Sequence, residues 1–533
     1  MEKKSYNRFF HLHTVSGIVI SVALYVIFFA GAFSLFRHEI GHWENQKVIP
    51  LEEQNVSTNS KMDIDYFVNV LKKEKYDLNG REIYLTLENK RDQELYISES
   101  KDTLSANASK EYELTINTNT NKITEQTNEF YSLGSLLYLL HYFYQLGEFG
   151  EYLAGLVAVF FLFAIVTGVV VHWKKIVSNF YVFRPLAKLK TIWTDAHTVL
   201  GVIGLPFQFM YALTGAMFAL AVLIYAPTDL LAHKEDNKTT KIEEFHSDFV
   251  MDSNYLLNPI IDSLATKWPD FTPKYIGISN YGSEKGTINL YGYLDARTKF
   301  IHEGEITYNI HSRKVTSESN PYNVAYTDII RPIAWALHYG YYGDIGILNK
   351  VLLKTLYFLM AIITCFVIIS GVLIWLTARD KKNIPEKQRR YNEKVGYIYM
   401  ALCLTMFPIT AFSFIVSKLL SGSTQSEVIL NSVYFGGWLL MSILFWLKKD
   451  NYFTNKYTLL SGGLLSLCIP VVNGFSSGNW LWKTFSNQYY DIFTIDVLWL
   501  AIGVLTLYTF TRMKKTNTKT PIFASTITQH EIK

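Results

Sequence analysis

Cysteine is nearly absent: Cys365, Cys403 and Cys468 are the only three in 533 residues, and each falls inside an apolar run. That excludes a disulfide framework and a Cys-x-x-Cys redox or zinc site, and the Cys-x-x-Cys-His signature of covalently attached haem is missing too. No flavin or nicotinamide motif occurs, so a redox reaction would need an external electron donor. Charge is also scarce, at 18% of residues with a net value of +4, and its distribution indicates no nucleic-acid surface.

What the chain has in quantity is apolar side chains, 49% hydrophobic and 15% aromatic, the profile of a membrane protein with polar insertions. A hydrocarbon core about 30 Å thick takes about 20 helical residues to cross. Runs of that length lie near 14–36, 151–173, 197–225, 350–377, 396–418, 428–447, 457–475 and 492–511. Backbone groups in lipid must be satisfied within the segment, and the runs are too long for barrel strands. The expected fold class is therefore a polytopic α-helical membrane protein with about eight transmembrane helices. The first run follows Lys3, Lys4 and Arg8 but exceeds 20 residues and lacks a small-x-small cleavage site, so it reads as a retained span rather than a signal peptide.

Lysine and arginine concentrate in cytoplasmic loops. The loop after the second span holds Lys174, Lys175, Arg184, Lys188 and Lys190. The one after the fourth holds Arg379, Lys381, Lys382, Lys387, Arg389, Arg390 and Lys394. Both are expected inside, with both termini. Residues 37–150 and 226–349 are then two outer domains, each opening with a helix (Met62–Lys73; Tyr255–Lys267) followed by short β-patterned runs such as Ile83–Leu87, Glu94–Ser98, Ile276–Ser279 and Thr287–Tyr291. Small α+β modules follow. The remaining divisions are 1–36 (N-terminus and first span), 151–225 (spans two and three with their basic loop), 350–377 (fourth span), 378–395 (basic linker), 396–512 (spans five to eight) and 513–533 (cytoplasmic tail).

The first 380 residues contain a tandem repeat. His13-Thr-Val-Ser-Gly17 matches His197-Thr-Val-Leu-Gly201, and Gly31-Ala32 and Gly215-Ala216 each follow their histidine by 18 residues. Leu140-His141-Tyr142 likewise matches Leu337-His338-Tyr339. Two copies of helix, outer domain and helix in one orientation imply a pseudo-twofold axis along the membrane normal. Spans five to eight contain no histidine and read as a separate four-helix addition.

Histidines form two layers at the span ends. Ionisable residues at membrane depth are functional candidates by default, and an imidazole that ligates haem iron is neutral and held by a hydrogen bond at its other nitrogen. One b-type haem in each layer, held by His13 with His197 and by His141 with His338, would give an electron route across the bilayer. Gly17 and Gly201 stack on the same helical faces as the inner histidines and leave room for a flat macrocycle. His172, at the end of the second span, is an alternative inner ligand. The same histidines are also placed to bridge apolar and wet layers or to cap helices. His38 and His42 stand at a metal-friendly i, i+4 spacing, a solvated helix end being the other reading. His246, His302, His311 and His530 read as surface residues. Asp195 is placed to orient His197 or to cap its helix.

Taken in order, Leu12-His13 with Gly17 and Gly31, Leu140-His141 with Gly147, Gly150 and Thr167-Gly168, His197 with Gly201 and Thr214-Gly215, and Leu337-His338 with Gly343, Gly346 and Ser370-Gly371 resemble the PepSY-associated transmembrane proteins, also called iron-regulated membrane proteins. The resemblance covers about residues 5–380. It implies a bacterial cytoplasmic-membrane protein with periplasmic PepSY domains and, as in the family's siderophore reductases, two b-type haems passing electrons to a ferric siderophore. His172 stands where the family usually has tryptophan. The function expected is transmembrane, haem-dependent reduction of a ferric chelate, fed by quinol or a cytoplasmic reductase, in contact with membrane lipid. A membrane-anchored PepSY binding, sensor or peptidase-inhibitor-like protein is the alternative. A transporter is disfavoured because charges near the midplane are missing.

Overall fold

The computed structural model describes residues 3–48, 64–221 and 256–514, apart from short loop stretches within those limits. Most of the tail expected over 513–533, together with His246 and His530, lies outside the described residues. The chain divides into two units, Met1–Val48 with Tyr131–Thr228 and Val351–Lys533, and Ile49–Phe130 with Asp229–Lys350.

Among the described residues the first unit holds eight helices long and apolar enough to cross a membrane. The first four are α1 (Lys3–Ser34), α5 (Glu148–His172), α6 (Leu189–Ala219) and α9 (Ile347–Ala378). The fifth span is α10 (Glu386–Leu404) continued by α11 (Met406–Leu419), and the sixth is α12 (Ser426–Asn431) continued through a π-helical turn into α13 (Gly437–Leu447). The seventh and eighth are α14 (Asn451–Ser477) and α16 (Tyr490–Arg512), joined through α15 (Leu481–Ser486). Two short helices from the region expected to be an outer domain belong to this unit: α2 (Arg37–Asn45) and α4 (Leu133–His141). Helix α4 starts at Ser132, whose hydroxyl accepts from Ser135 N, and it buries Leu133, Leu136, Leu137 and Leu140.

One apolar core runs through all eight spans and through α2 and α4. Phe33 on α1 touches the rings of Phe358 on the fourth span, Phe414 on the fifth and Trp499 on the eighth. Spans five to eight are thus not a separate addition. They cover the Phe33 end of the first span, which lipid alone would leave without specific packing partners.

In the second unit the two repeat halves share a sheet. The first half contributes α3 (Ile64–Lys73), β1 (Ile83–Thr86), β2 (Asp92–Ile97), β3 (Tyr112–Asn117) and β4 (Lys122–Glu125). The second contributes α7 (Asn258–Ala265), β5 (Phe271–Ser279), β6 (Thr287–Leu294), β7 (Glu303–Asn309), β8 (Lys314–Ser319) and α8 (Tyr326–Tyr339). Each half is an antiparallel meander, and β1 pairs with β5 to give one eight-stranded sheet in the order β4-β3-β2-β1-β5-β6-β7-β8. At the seam Ile83 faces Ile278 and Leu85 faces Ile276, so the period-two apolar pattern of both strands buries on one side. The helices cap each other: the Asp65 carboxylate accepts from Leu257 N and Asn258 N, and Asn258 Oδ1 accepts from Ile64 N. The two modules expected from sequence as separate domains are therefore halves of one structure.

Candidate functional site

The repeat-matched histidines of α1 and α6 meet: the rings of His13 and His197 lie 6.2 Å apart between centroids, 66° from coplanar. Each is held in the same way by a neighbouring span. His13 Nδ1 is 2.8 Å from Ala164 O on α5, and His197 Nδ1 is 2.9 Å from Val367 O on α9. A carbonyl only accepts, so Nδ1 carries the proton in both rings and the lone pair is on Nε2. Ser370 Oγ, 3.1 Å from His197 Nδ1, adds a second polar contact.

Glycine explains how a ring reaches a helix carbonyl that is already bonded within its helix. A side chain at i+4 leans toward the helix N-terminus and covers the carbonyl of residue i. Gly168 stands four residues after Ala164 and Gly371 four after Val367. A Cβ at Gly168 would sit 3.0 Å from His13 Cε1, and one at Gly371 would sit 3.2 Å from His197 Cε1. The lack of a Cβ makes a notch that admits the imidazole. His141, at the end of α4, repeats the arrangement on α1: its Nδ1 is 3.3 Å from Ile27 O, and a Cβ at Gly31, four residues on, would meet that nitrogen at 2.9 Å. At sequence level Gly168 and Gly371 look like ordinary packing glycines. Their common offset from the repeat and the Thr-Gly or Ser-Gly pair are the signals that mark them.

A Cβ at Gly17 or Gly201 would meet nothing within 4 Å. His172 ends α5 one turn beyond Gly168, on the face that carries the His13 notch. His338 belongs to the sheet-bearing unit, where it is 9% exposed and packs beside Tyr339 on α8.

Two other sequence candidates take structural roles. The Asp195 carboxylate neither orients His197 nor caps its helix; it accepts from Arg184 Nε and Nη2 at 2.9 and 2.8 Å and so ties the basic loop to α6. His42 Nδ1 is 2.7 Å from Asp491 Oδ2 on α16, which makes it an inter-helix contact. Among the described residues no group of three or more His, Cys, Asp or Glu side chains could hold a metal ion.

A family model described as PepSY-associated TM region matches residues 10–378. No individual curated protein matches the chain.

Proposed function

Because the chain belongs to the family of PepSY-associated transmembrane proteins, we propose that its first four spans use b-type haem to carry electrons across the membrane and reduce a ferric chelate on the far side. The observation that carries this reading is the His13–His197 pair. With about 2.0 Å from metal to imidazole nitrogen and about 1.1 Å from nitrogen to ring centre, one metal between two imidazoles puts the centres about 6.2 Å apart. The observed separation is 6.2 Å. Both rings have Nδ1 engaged and Nε2 free, the tautomer that ligation requires, and the backbone carbonyls raise the basicity of the ligating nitrogen. The open faces at Gly17 and Gly201 leave space beside the pair. The residues present therefore fit the group.

Haem, when bound, supplies a one-electron couple whose potential follows its axial ligands and their hydrogen bonds. His13 and His197 are the proposed ligands of the inner site. By the sequence repeat, His141 and His338 are those of the outer one. Lysine and arginine asymmetry supports placing both termini in the cytoplasm, with an external donor, quinol or a reductase, on that side. One electron converts each Fe³⁺ of the substrate to Fe²⁺, which hard oxygen ligands hold less tightly, and iron is released.

The visible spectrum of purified protein tests this directly. Bis-histidine haem gives sharp Soret and α bands on reduction. His13→Ala and His197→Ala are each expected to remove the same half of the haem, while His172→Ala retains it. Protein expressed with ample haem that never shows these bands overturns the reading. Loss of the inner haem in His172→Ala, with retention in His13→Ala or His197→Ala, replaces the symmetric ligand pair.

A further inference from the structure

Spans five to eight lie outside residues 10–378, and electron transfer through the first four gives them no task beyond packing. Together with α2 they nevertheless form a cluster of buried charge. Asp496 on α16, Lys418 on α11 and Glu44 on α2 are 0, 2 and 4% exposed. Asp496 accepts from Trp43 Nε1 at 2.7 Å and Asn473 Nδ2 at 2.9 Å. Lys418 Nζ donates to the carbonyls of Trp43 and Glu44 at 2.5 and 3.1 Å. The Glu44 carboxylate accepts from Leu133 N, with Ser417 and Lys418 beside it. Other charged groups at this end include the His42–Asp491 pair, Arg37, and Glu39 paired with Lys354. Two buried carboxyls and one ammonium do not balance, and an uncompensated charge out of water is expensive, so the cluster is neutral only when it holds one proton.

A polar stripe leads away from this cluster. Asn392, Tyr399, Cys403, Thr410, Ser413 and Ser417 recur on the fifth span at offsets of three, four or seven, and all are buried. From 392 to 417 such a stripe extends about 37 Å, longer than a hydrocarbon core of about 30 Å. Around Cys403 the stripe is joined by tyrosines of other spans. Tyr434 OH is 3.3 Å from Thr410 Oγ1, and Tyr25 of the first span lies within electrostatic reach of Tyr434, Tyr399 and Cys403. Hydroxyls that merely glue helices together bond to a neighbouring helix or back to their own. Ser413 Oγ does neither, and Asn392 Nδ2 on the same span, Asn451 Oδ1 on α14 and, one turn from Asp496, Trp499 Nε1 are likewise buried with no protein partner. Buried polar atoms of that kind call for water.

We propose that the C-terminal spans form a proton route along the polar stripe of the fifth span, with Glu44, Lys418 and Asp496 as the exchange site at one end and Asn392 with Asn451 at the other. A proton enters at one end and leaves at the other; only O–H and N–H bonds of side chains and water are made and broken. Such a route would offset the charge that electrons carry across the membrane, but it does not require haem.

The test uses the purified full chain, without haem, in phosphatidylethanolamine–phosphatidylglycerol liposomes that enclose a pH-sensitive dye. An outward potassium gradient with valinomycin makes the interior negative. Interior acidification is expected about tenfold faster than in protein-free liposomes, and Asp496→Asn and Glu44→Gln should return it to near the protein-free rate. Ser413→Ala removes a hydroxyl that has no protein partner, so it folds normally, and it should slow the flux several-fold. Size-exclusion profiles confirm that each variant is folded. Wild-type flux no faster than protein-free liposomes overturns the proposal, as does wild-type flux in folded Ser413→Ala and Asp496→Asn.

Discussion

Replacing Gly168 by alanine should separate the stability of the bundle from its capacity to hold haem. The new Cβ would lie 3.0 Å from His13 Cε1 and 3.2 Å from Nδ1, where ordinary contact begins near 3.4 Å. The ring must retreat by a few tenths of an ångström from a carbonyl now 2.8 Å away. Weakening that hydrogen bond costs about 0.5–1.5 kcal/mol, while alanine gains about 1 kcal/mol over glycine in a helix interior. The two nearly cancel, so the melting temperature should change little. Disturbing the group that orients a metal-bound histidine typically costs about 10–100-fold in affinity, which is the loss expected for the inner haem. Haem titration followed at the Soret band, beside a thermal melt of the haem-free protein in detergent, reads both quantities. Gly41→Ala, where the new Cβ meets nothing within 4 Å, is the control. If Gly168→Ala binds haem as tightly as wild type, or loses it only in proportion to unfolding, the notch does not hold the ligand.

Further outcomes follow from other contacts. Burial, opposed by Leu133 N–H, Ser417 and Lys418, pushes the Glu44 carboxyl up from 4.5 to about 8. The folded chain thus keeps a proton that the unfolded chain releases, and this stabilisation is full below about pH 4.5 and is lost as pH rises through about 8. Melting temperature should fall between pH 5 and 8 and do so less in Glu44→Gln, which still accepts from Leu133; equal slopes contradict the assignment. Arg81, 0% exposed, donates to the carbonyls of Ser98, Lys110 and Asn107, so Arg81→Ala strands three acceptors and should cost about 3 kcal/mol or more in a denaturant melt of the sheet-bearing unit within the full chain. Arg184→Ala breaks an ion pair whose arginine is 60% exposed. Solvent screens such a pair, so the melting temperature and the haem spectrum should both stay unchanged, whereas a spectral shift would return Asp195 to a role at His197.

The eight spans and the tandem repeat were legible in the sequence, because crossing a bilayer is a matter of length and hydropathy along one segment; the helix ends were not, since α1, α6, α10 and α14 each begin six to eleven residues before the apolar run that marks them. The repeat also singled out His13 with His197 and His141 with His338, since symmetry-related residues are found by counting. Four things were not legible. That Gly168, Gly371 and Gly31 receive imidazoles depends on the rotation of one helix against another, and small residues look alike whether they admit a backbone or a ring. That Asp195 serves Arg184 depends on the path of a loop. That the outer modules share a sheet depends on β1 finding β5 across about 190 residues of sequence, a pairing that strand patterns alone leave undetermined. Finally, the last four spans read as an appendage, yet Phe33 packs against Phe414 and Trp499. Hydropathy states that a helix is apolar; only packing decides whether lipid or another helix covers it, and so where Lys418 and Asp496 come to lie.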